Sequence, residues 1–341
     1  MTRRPQPSTA IKKLSQSARL STFNWWAILL CLLLNVTIPC RSEDPITLDK
    51  ERPVITAYLW GQLGNQMFLV AAALAYGWDH DAHAVFPDLN KPDYRLSYNR
   101  DAIFFRLEAP LESPRPITHY FTESTWHSPE RIPVQPDQII YGYFQSWKHF
   151  HHHRDKILAA FAPSDETLSY LKTKYADLID APNTVSIHVR TFNKKLHHEK
   201  IHPFIGLDYY RNAMSLFPSD TIFVIFSDRI QWCKKHFSKM NRNCVFIEER
   251  DFIKELFLMS MMKHQVICNS SFSWWAAYMN QNPDQIVIAP KSWMHPDYYD
   301  FPPPQPNDFY LPHWTIVQQN YDEPFPVDMT WYDITQSLDG N

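Results

Sequence analysis

From Arg52 onward short apolar runs alternate with helical stretches, and this alternation restricts the fold more than any other feature of the chain. The run 54–60 leads through a Gly61-Gln62-Leu63-Gly64 turn into a helical stretch bearing Met67, Phe68, Val70, Ala71, Leu74 and Ala75, with Asn65 placed to cap it. Residues 85–140 are Pro-rich and weakly periodic, and read as loops. Residues 139–144 read as a strand, and 157–162 and 166–178 as helices. A second block follows, with strands at 184–189, 221–227, 244–247, 265–268 and 286–289 separated by helices at 207–216, 230–236, 252–262 and 272–280. Strands joined through helices require parallel sheets covered on both faces, so two such blocks predict two α/β domains facing a cleft. After Lys291 the chain turns Pro-rich again, which predicts a surface wrap ending in a short helix.

With 12 Trp, 17 Tyr and 22 Phe among 341 residues, the chain has ample apolar surface for a large core. Its glycines are few: Gly61, Gly64, Gly77, Gly142, Gly206 and Gly340, against a usual ~7% of residues. Neither G-x-G-x-x-G nor G-x-x-x-x-G-K-[ST] can be written anywhere, so a bound nucleotide must have its phosphates held by something other than a glycine-rich loop. The net charge of −3, with no basic run after residue 50, argues against a nucleic-acid partner. Five scattered cysteines make no disulfide framework and no C-x-x-C pair; Cys233 and Cys244 read as buried free thiols, with one bridge between them as the alternative.

The first 22 residues are polar and basic, and an apolar stretch occupies 23–38, short for a membrane span and close to a signal h-region. The basic flank precedes it, which predicts a cytosolic N-terminus and a type II single-pass anchor, Golgi-like and lumenal in a eukaryote. A cleaved signal peptide and a cytoplasmic enzyme are the alternatives. The division expected is therefore 1–50 as tail and anchor, 51–180 and 181–300 as two α/β domains, and 301–341 as the C-terminal wrap.

Three strand ends carry candidate chemistry. The apolar run Thr184–Val189 contains His188 and empties into Arg190, a cation able to hold a diphosphate bidentately at the end of a strand that faces the ligand crevice. A solvated surface arginine is the plain reading. Cys268-Asn269-Ser270-Ser271-Phe272-Ser273-Trp274-Trp275 runs from a buried strand into a helix N-terminus rich in hydroxyls, an anion site that needs no glycine. Simple capping by Ser270 or Ser271, with the tryptophans as core, is compatible with it. Ile225-Phe226-Ser227-Asp228 ends in a carboxylate suited to a ribose or base edge, or equally to capping the next helix. His198-Glu199-Lys200-Ile201-His202 spells the zinc-hydrolase H-E-x-x-H, but Pro203 and the lack of an apolar face argue against the helix that the spacing needs. The tract His149–His153 reads as an exposed face rather than a metal site.

Taken together these segments resemble the α-1,2-fucosyltransferases of glycosyltransferase family 11, from about Val54 to Pro296. The blocks carrying the resemblance are Gly61–Phe68, Gly142-Tyr143-Phe144-Gln145-Ser146, His188-Val189-Arg190, Leu207-Asp208-Tyr209-Tyr210, Phe226-Ser227-Asp228 with Trp232-Cys233, Asn269–Trp275, and Ile288-Ala289-Pro290-Lys291-Ser292-Trp293. The resemblance implies a GT-B-like fold of two Rossmann-type domains, and inverting, metal-independent transfer of L-fucose from GDP-β-L-fucose to the 2-hydroxyl of a galactose-type acceptor, without a cofactor. It implies that Arg190 binds the diphosphate and His188 shapes the same site. Gly64 and Asn65 would lie near fucose and phosphate, Asp228 near guanosine, and Ser270, Ser271 and Phe272 would form the phosphate grip. Thr191 and Asn193 stand where the family has a second Arg and an Asp. That departure motivates the alternative of a catalytically impaired glycan- or nucleotide-binding protein. Glu199 and Asp208 are candidates for a general base, each with a surface carboxylate as the plain reading.

Overall fold

The computed structural model describes residues 51–107, 111–124, 129–191, 202, 204–294 and 306–319. The 23–38 apolar segment, Asn193, residues 198–201 of the H-E-x-x-H match and everything after 319 lie outside the described residues. Among the described residues no helix is long and apolar enough to cross a membrane.

The first sheet is built from β1 (Val54–Ala57), β2 (His83–Ala84), β3 (His119–Thr122) and β4 (Gln138–Tyr141), in the order β2-β1-β4-β3, with every pairing parallel. Between β1 and β2 runs α1 (Leu63–Asp79), which is apolar nearly all round and buried along most of its length up to Gly77, so it packs as an interior helix rather than as an amphipathic one. Helix α2 (Tyr94–Ala102) precedes β3, and α3 (Arg154–Ala160), α4 (Asp165–Lys174) and α5 (Ala176–Ile179) follow β4.

The second sheet has six strands: β5 (Thr184–Val189), β6 (Ile222–Ser227), β7 (Asn243–Phe246), β8 (His264–Val266), β9 (Val287–Pro290) and β10 (Thr315–Val317). Their order is β10-β9-β8-β5-β6-β7, again parallel throughout. All six residues of the central β5 are buried, as expected of a strand covered on both faces. The crossovers are α6 (Leu207–Ser215), α7 (Ile230–Phe237), α8 (Phe252–Met261) and α9 (Ser271–Met279), and a short α10 (Pro306–Phe309) precedes β10.

The alternating pattern is thus realised as parallel α/β sheets, with four differences from the sequence reading. The 85–140 region holds α2 and β3 as well as loops. Helix α1 starts at Leu63 with Gln62 at its N-cap, so Asn65 sits in the first turn and its side chain is used elsewhere. The wrap after Lys291 contributes a strand, because Thr315-Ile316-Val317 is a β-branched triplet that pairs along β9. Cys233 and Cys244 are both free; Cys233 is buried and Cys244 only partly so.

The described residues fall within one compact unit. The larger of two apolar clusters runs from Ile55 and α1 to Leu256, Trp274, Trp275 and Trp314. Its centre is aromatic: Trp275 stacks near-parallel on Phe150 at 5.3 Å, and Phe68 lies 4.5 Å from Trp274 and 5.0 Å from Trp275. The doubled tryptophans are therefore core, as the plain reading of that motif held, while the residues just before them open onto a cleft.

Candidate active site

A cleft of about 640 Å³ lies where the C-terminal ends of strands from both sheets meet. Gly64, Asn65, His188, Arg190, Asp228, Ser270, Ser271 and Phe272, the donor-site candidates named from the sequence, line it together, whereas the base candidate Asp208 does not and Glu199 lies outside the described residues. They arrive from four separated segments: the first turn of α1, the ends of β5 and β6, and the start of α9.

The floor of the cleft is a close approach of two helix N-termini. A Cβ on Gly64 would lie 2.6 Å from the Ser271 carbonyl carbon and 2.8 Å from the Phe272 nitrogen, so only glycine lets α1 and α9 come this near. The Trp275 indole N–H donates to the Gly64 carbonyl oxygen at 3.0 Å, and the Ser271 hydroxyl donates to Asn65 Oδ1 at 2.8 Å. Gln145 from the Gly142–Ser146 block donates to the same Asn65 oxygen at 2.8 Å. Asn65 is thereby fixed as a strut between the two sheets, which is why it does not cap α1.

The start of α9 carries no side-chain cap: Ser270 occupies the N-cap position and its hydroxyl makes no capping bond. The first N–H groups of a helix have no intrahelical acceptors, and here they are left for a ligand with the positive end of the helix dipole behind them. Asn269 is buried and donates to the Trp293 carbonyl oxygen at 3.3 Å, so although Asn269-Ser270-Ser271 spells an N-x-S glycosylation sequence, it is closed to a glycan.

Across from this terminus, Arg190 Nη1 lies 3.3 Å from Asp228 Oδ2. Asp228 does not cap α7, whose N-cap residue Arg229 supplies no capping bond; instead it accepts from the Thr191 backbone N–H at 3.0 Å and the Thr191 hydroxyl at 3.1 Å. Thr191, 3% exposed, is thus a structural partner of Asp228 at the position where the sequence pattern has a second arginine. Arg190 keeps 38% of its side chain exposed, anchored on one edge and open to the cleft.

His188 is 6% exposed; burial, reinforced by the Arg190 charge, pushes its pKa down to about 3, so the ring is neutral at physiological pH. Its Nδ1 lies 3.3 Å from Cys268 Sγ, and its carbonyl oxygen accepts from the Tyr210 hydroxyl at 3.1 Å. Tyr209 donates to the Ile267 carbonyl oxygen at 2.6 Å. The Leu207–Tyr210 block therefore ties α6 to the ends of β5 and β8.

Asp208 is not among the residues that line the cleft and pairs with Arg211 on an exposed face of α6. The cleft instead contains Glu255, in the first turn of α8, whose carboxylate forms no hydrogen bond or ion pair among the described residues. Burial and the nearby Glu249, Asp228 and Asp251 raise its pKa to about 8. Sequence reasoning passed over it because an acid in a first turn reads as satisfying the helix dipole. His202 also lines the cleft. Among the described residues one group, Asp79 with His152 and His153, has ligand atoms close enough for a metal ion; it lies on the surface outside the cleft, its imidazoles already bonded to the carboxylate at 2.8 and 2.7 Å.

The family model of glycosyl transferase family 11 matches residues 105–318. Two Escherichia coli proteins, O-antigen biosynthesis glycosyltransferase WbnK and an alpha-1,2-colitosyltransferase, are 30% and 32% identical over 48% and 45% of this chain. The chain spans about half of their length, 57% and 54% respectively. Galactoside alpha-(1,2)-fucosyltransferase 2 of Hylobates lar is 25% identical over 83% of this chain and 85% of its own.

Proposed function

Starting from a chain that belongs to glycosyl transferase family 11, we propose that it transfers L-fucose from GDP-β-L-fucose to the 2-hydroxyl of a galactose-type acceptor, with inversion, giving an α-1,2 linkage. The observation that carries this reading is the convergence of Arg190 and the uncapped α9 N-terminus in one cleft. It is a diphosphate site that works without a glycine-rich loop. The α-1,2 transfer named for two of the relatives supports the linkage.

In this reading the acceptor hydroxyl oxygen bonds to C1 of fucose and its proton is released to solvent, the C1–O bond to GDP breaks, and the electron pair stays on the β-phosphate. Arg190 and the N–H groups of Ser271 and Phe272 meet the charge that develops there, already oriented and partly shielded from water. His188, held neutral, offers a ring N–H without adding charge. Gly64 and Asn65 bring the first sheet against the sugar, and Asp228 sets Arg190 while facing the guanosine end. The first sheet is read as the acceptor side (51–180) and the second as the donor side (181–300) of a GT-B-like pair. The positive charge comes from the protein itself, so treatment with EDTA leaves turnover intact. Residues 23–38 are read as a type II anchor, to be checked by membrane fractionation of the full chain.

The impaired-enzyme alternative rests on Thr191, which bonds to Asp228 in place of the family's second arginine, and on Asn193, which lies outside the described residues. Incubating the protein from Glu43 onward with GDP-fucose and terminal galactosides is the direct test. Fucosylated product is expected; GDP binding without transfer would favour the binding-protein reading, and neither would sink both.

A further inference from the structure

Sheet β1/β4 ends in a run of aromatic rings that the donor site does not use. Tyr58 and Trp60 follow β1, and Tyr141 and Tyr143 stand at the end of β4. Trp60 and Tyr143 line the cleft with ring centroids 4.2 Å apart. Trp60 stacks near-parallel on Tyr141 at 5.9 Å, and Tyr141 meets Tyr58 at 5.4 Å. Exposure rises outward along this row: Trp60 and Tyr143 are half-buried, whereas Tyr58 and Tyr141 are 41% and 45% exposed.

Single exposed aromatics need no explanation, but a connected row running from a cleft onto the surface does. The row is also rigid. The Trp60 indole N–H donates to the Gly142 carbonyl oxygen at 2.7 Å, the Tyr58 N–H donates to the Ile140 carbonyl oxygen at 3.0 Å, and Lys91 lies 5.3 Å from the Tyr58 ring centroid. Rings fixed in this way lose little conformational entropy on binding and present an apolar face beside a polar rim. That combination suits a pyranose, whose C–H face packs on a ring while its hydroxyls bond at the edges. Arg190 and Ser270 follow strands of the other sheet, so the row and the anion grip are carried by different sheets.

We propose that Trp60, Tyr143, Tyr141 and Tyr58 form a platform for the sugar units that precede the reactive galactose, making the acceptor an oligosaccharide chain rather than a single galactoside. The proposal rests on the fucosyl-transfer reading for its substrate class, and its test separates the two.

Two acceptors, methyl β-galactoside and a β-galactoside-terminated tetrasaccharide, are compared in KM at saturating GDP-fucose, and tetrasaccharide binding without donor is followed by saturation-transfer NMR. The expected result is a KM roughly tenfold lower for the tetrasaccharide, the scale of one or two aromatic contacts. In Tyr141→Ala the ratio of the two values falls to near one. Both Tyr141 and Tyr58 are exposed, so their alanine variants report on the platform without the folding risk of Trp60→Ala, and Trp60→Phe retains part of the preference. Equal KM values in the unaltered protein, or an undiminished preference in Tyr141→Ala, overturns the platform. Saturation transfer to the tetrasaccharide that is lost in Tyr141→Ala, with no fucose transfer at all, supports the platform and removes the enzymatic reading. Transfer to methyl β-galactoside with no detectable tetrasaccharide binding removes the platform alone.

Discussion

Arg190 is held at one edge by Asp228, which is itself held by Thr191, so the cation is positioned before any ligand arrives. Removing a preorganised charge of this kind from a transfer reaction costs roughly 100-fold or more in kcat/KM. We expect Arg190→Ala to show that loss in steady-state assays with GDP-fucose, and Arg190→Lys to recover only part of it, because an ammonium cannot form the planar two-bond contact. His188 supplies a subtler case. The Ser273 hydroxyl donates to the Ser270 carbonyl oxygen at 3.1 Å, and the Cys268 thiol lies 3.3 Å from His188 Nδ1 and 3.7 Å from Ser273 Oγ; we expect it to donate along the shorter contact, to the imidazole. Burial raises the Cys268 pKa to about 12, so the sulfur keeps its proton. The imidazole proton then resides on Nε2. Nitrogen NMR of the labelled protein should show Nε2–H in the unaltered chain, and a shift toward the other tautomer in Cys268→Val with a raised KM for the donor. Cys268→Ser, which keeps a donor, should restore both; a proton already on Nδ1 in the unaltered chain defeats the assignment.

At the scale of elements, the site exists because α1 and α9 meet end to end at a glycine. Gly64→Ala drives a methyl group into the start of α9, a clash worth roughly 1–3 kcal/mol that lands on the phosphate grip itself. We expect a lower melting temperature together with a higher KM for GDP-fucose, whereas Gly77→Ala, which crowds the Ala82 carbonyl oxygen at 2.8 Å far from the cleft, lowers stability without that change in KM. The strands around this junction were readable because buried parallel strands appear as short apolar runs, and β5 and β6 match their expected bounds to within a residue. Helix α2 was not readable: Tyr94-Arg95-Leu96-Ser97-Tyr98-Asn99-Arg100 turns only Leu96 and Asn99 into the core, so it has no apolar stripe to find. Edge strand β3 buries no residue fully and sits in a Pro-rich stretch. The candidate residues were legible one by one as strand ends. Their convergence, the use of Asn65 as a strut and the cleft-facing Glu255 depend on tertiary packing that no local pattern encodes.

For the molecule as a whole, the apolar cluster crosses from one sheet to the other, so residues 51–319 should unfold together, with tryptophan fluorescence and far-ultraviolet dichroism giving coincident urea transitions. Glu255 makes that common stability depend on pH in a predictable direction. Burial and the surrounding carboxylates raise its pKa from 4.5 to about 8, so the folded chain holds the proton more tightly than the unfolded chain does. Its contribution is complete below pH 4.5 and is lost as the pH rises through about 8. Glu249 acts in a different window: burial opposes its ionisation, but hydrogen bonds from Lys174 and Tyr170 bring its pKa down to about 2, so its contribution holds above 4.5 and fades only in stronger acid. His188 and His264, both lowered chiefly by burial, weaken the fold as the pH falls below their ordinary 6.5 and so oppose Glu255 in part of the range. The informative quantity is therefore the difference between the unaltered chain and Glu255→Gln, in which those shared terms cancel. That difference should grow in favour of the variant between pH 5 and pH 8 in thermal melts, and a difference that stays flat with pH would show that Glu255 is ionised in the folded protein throughout.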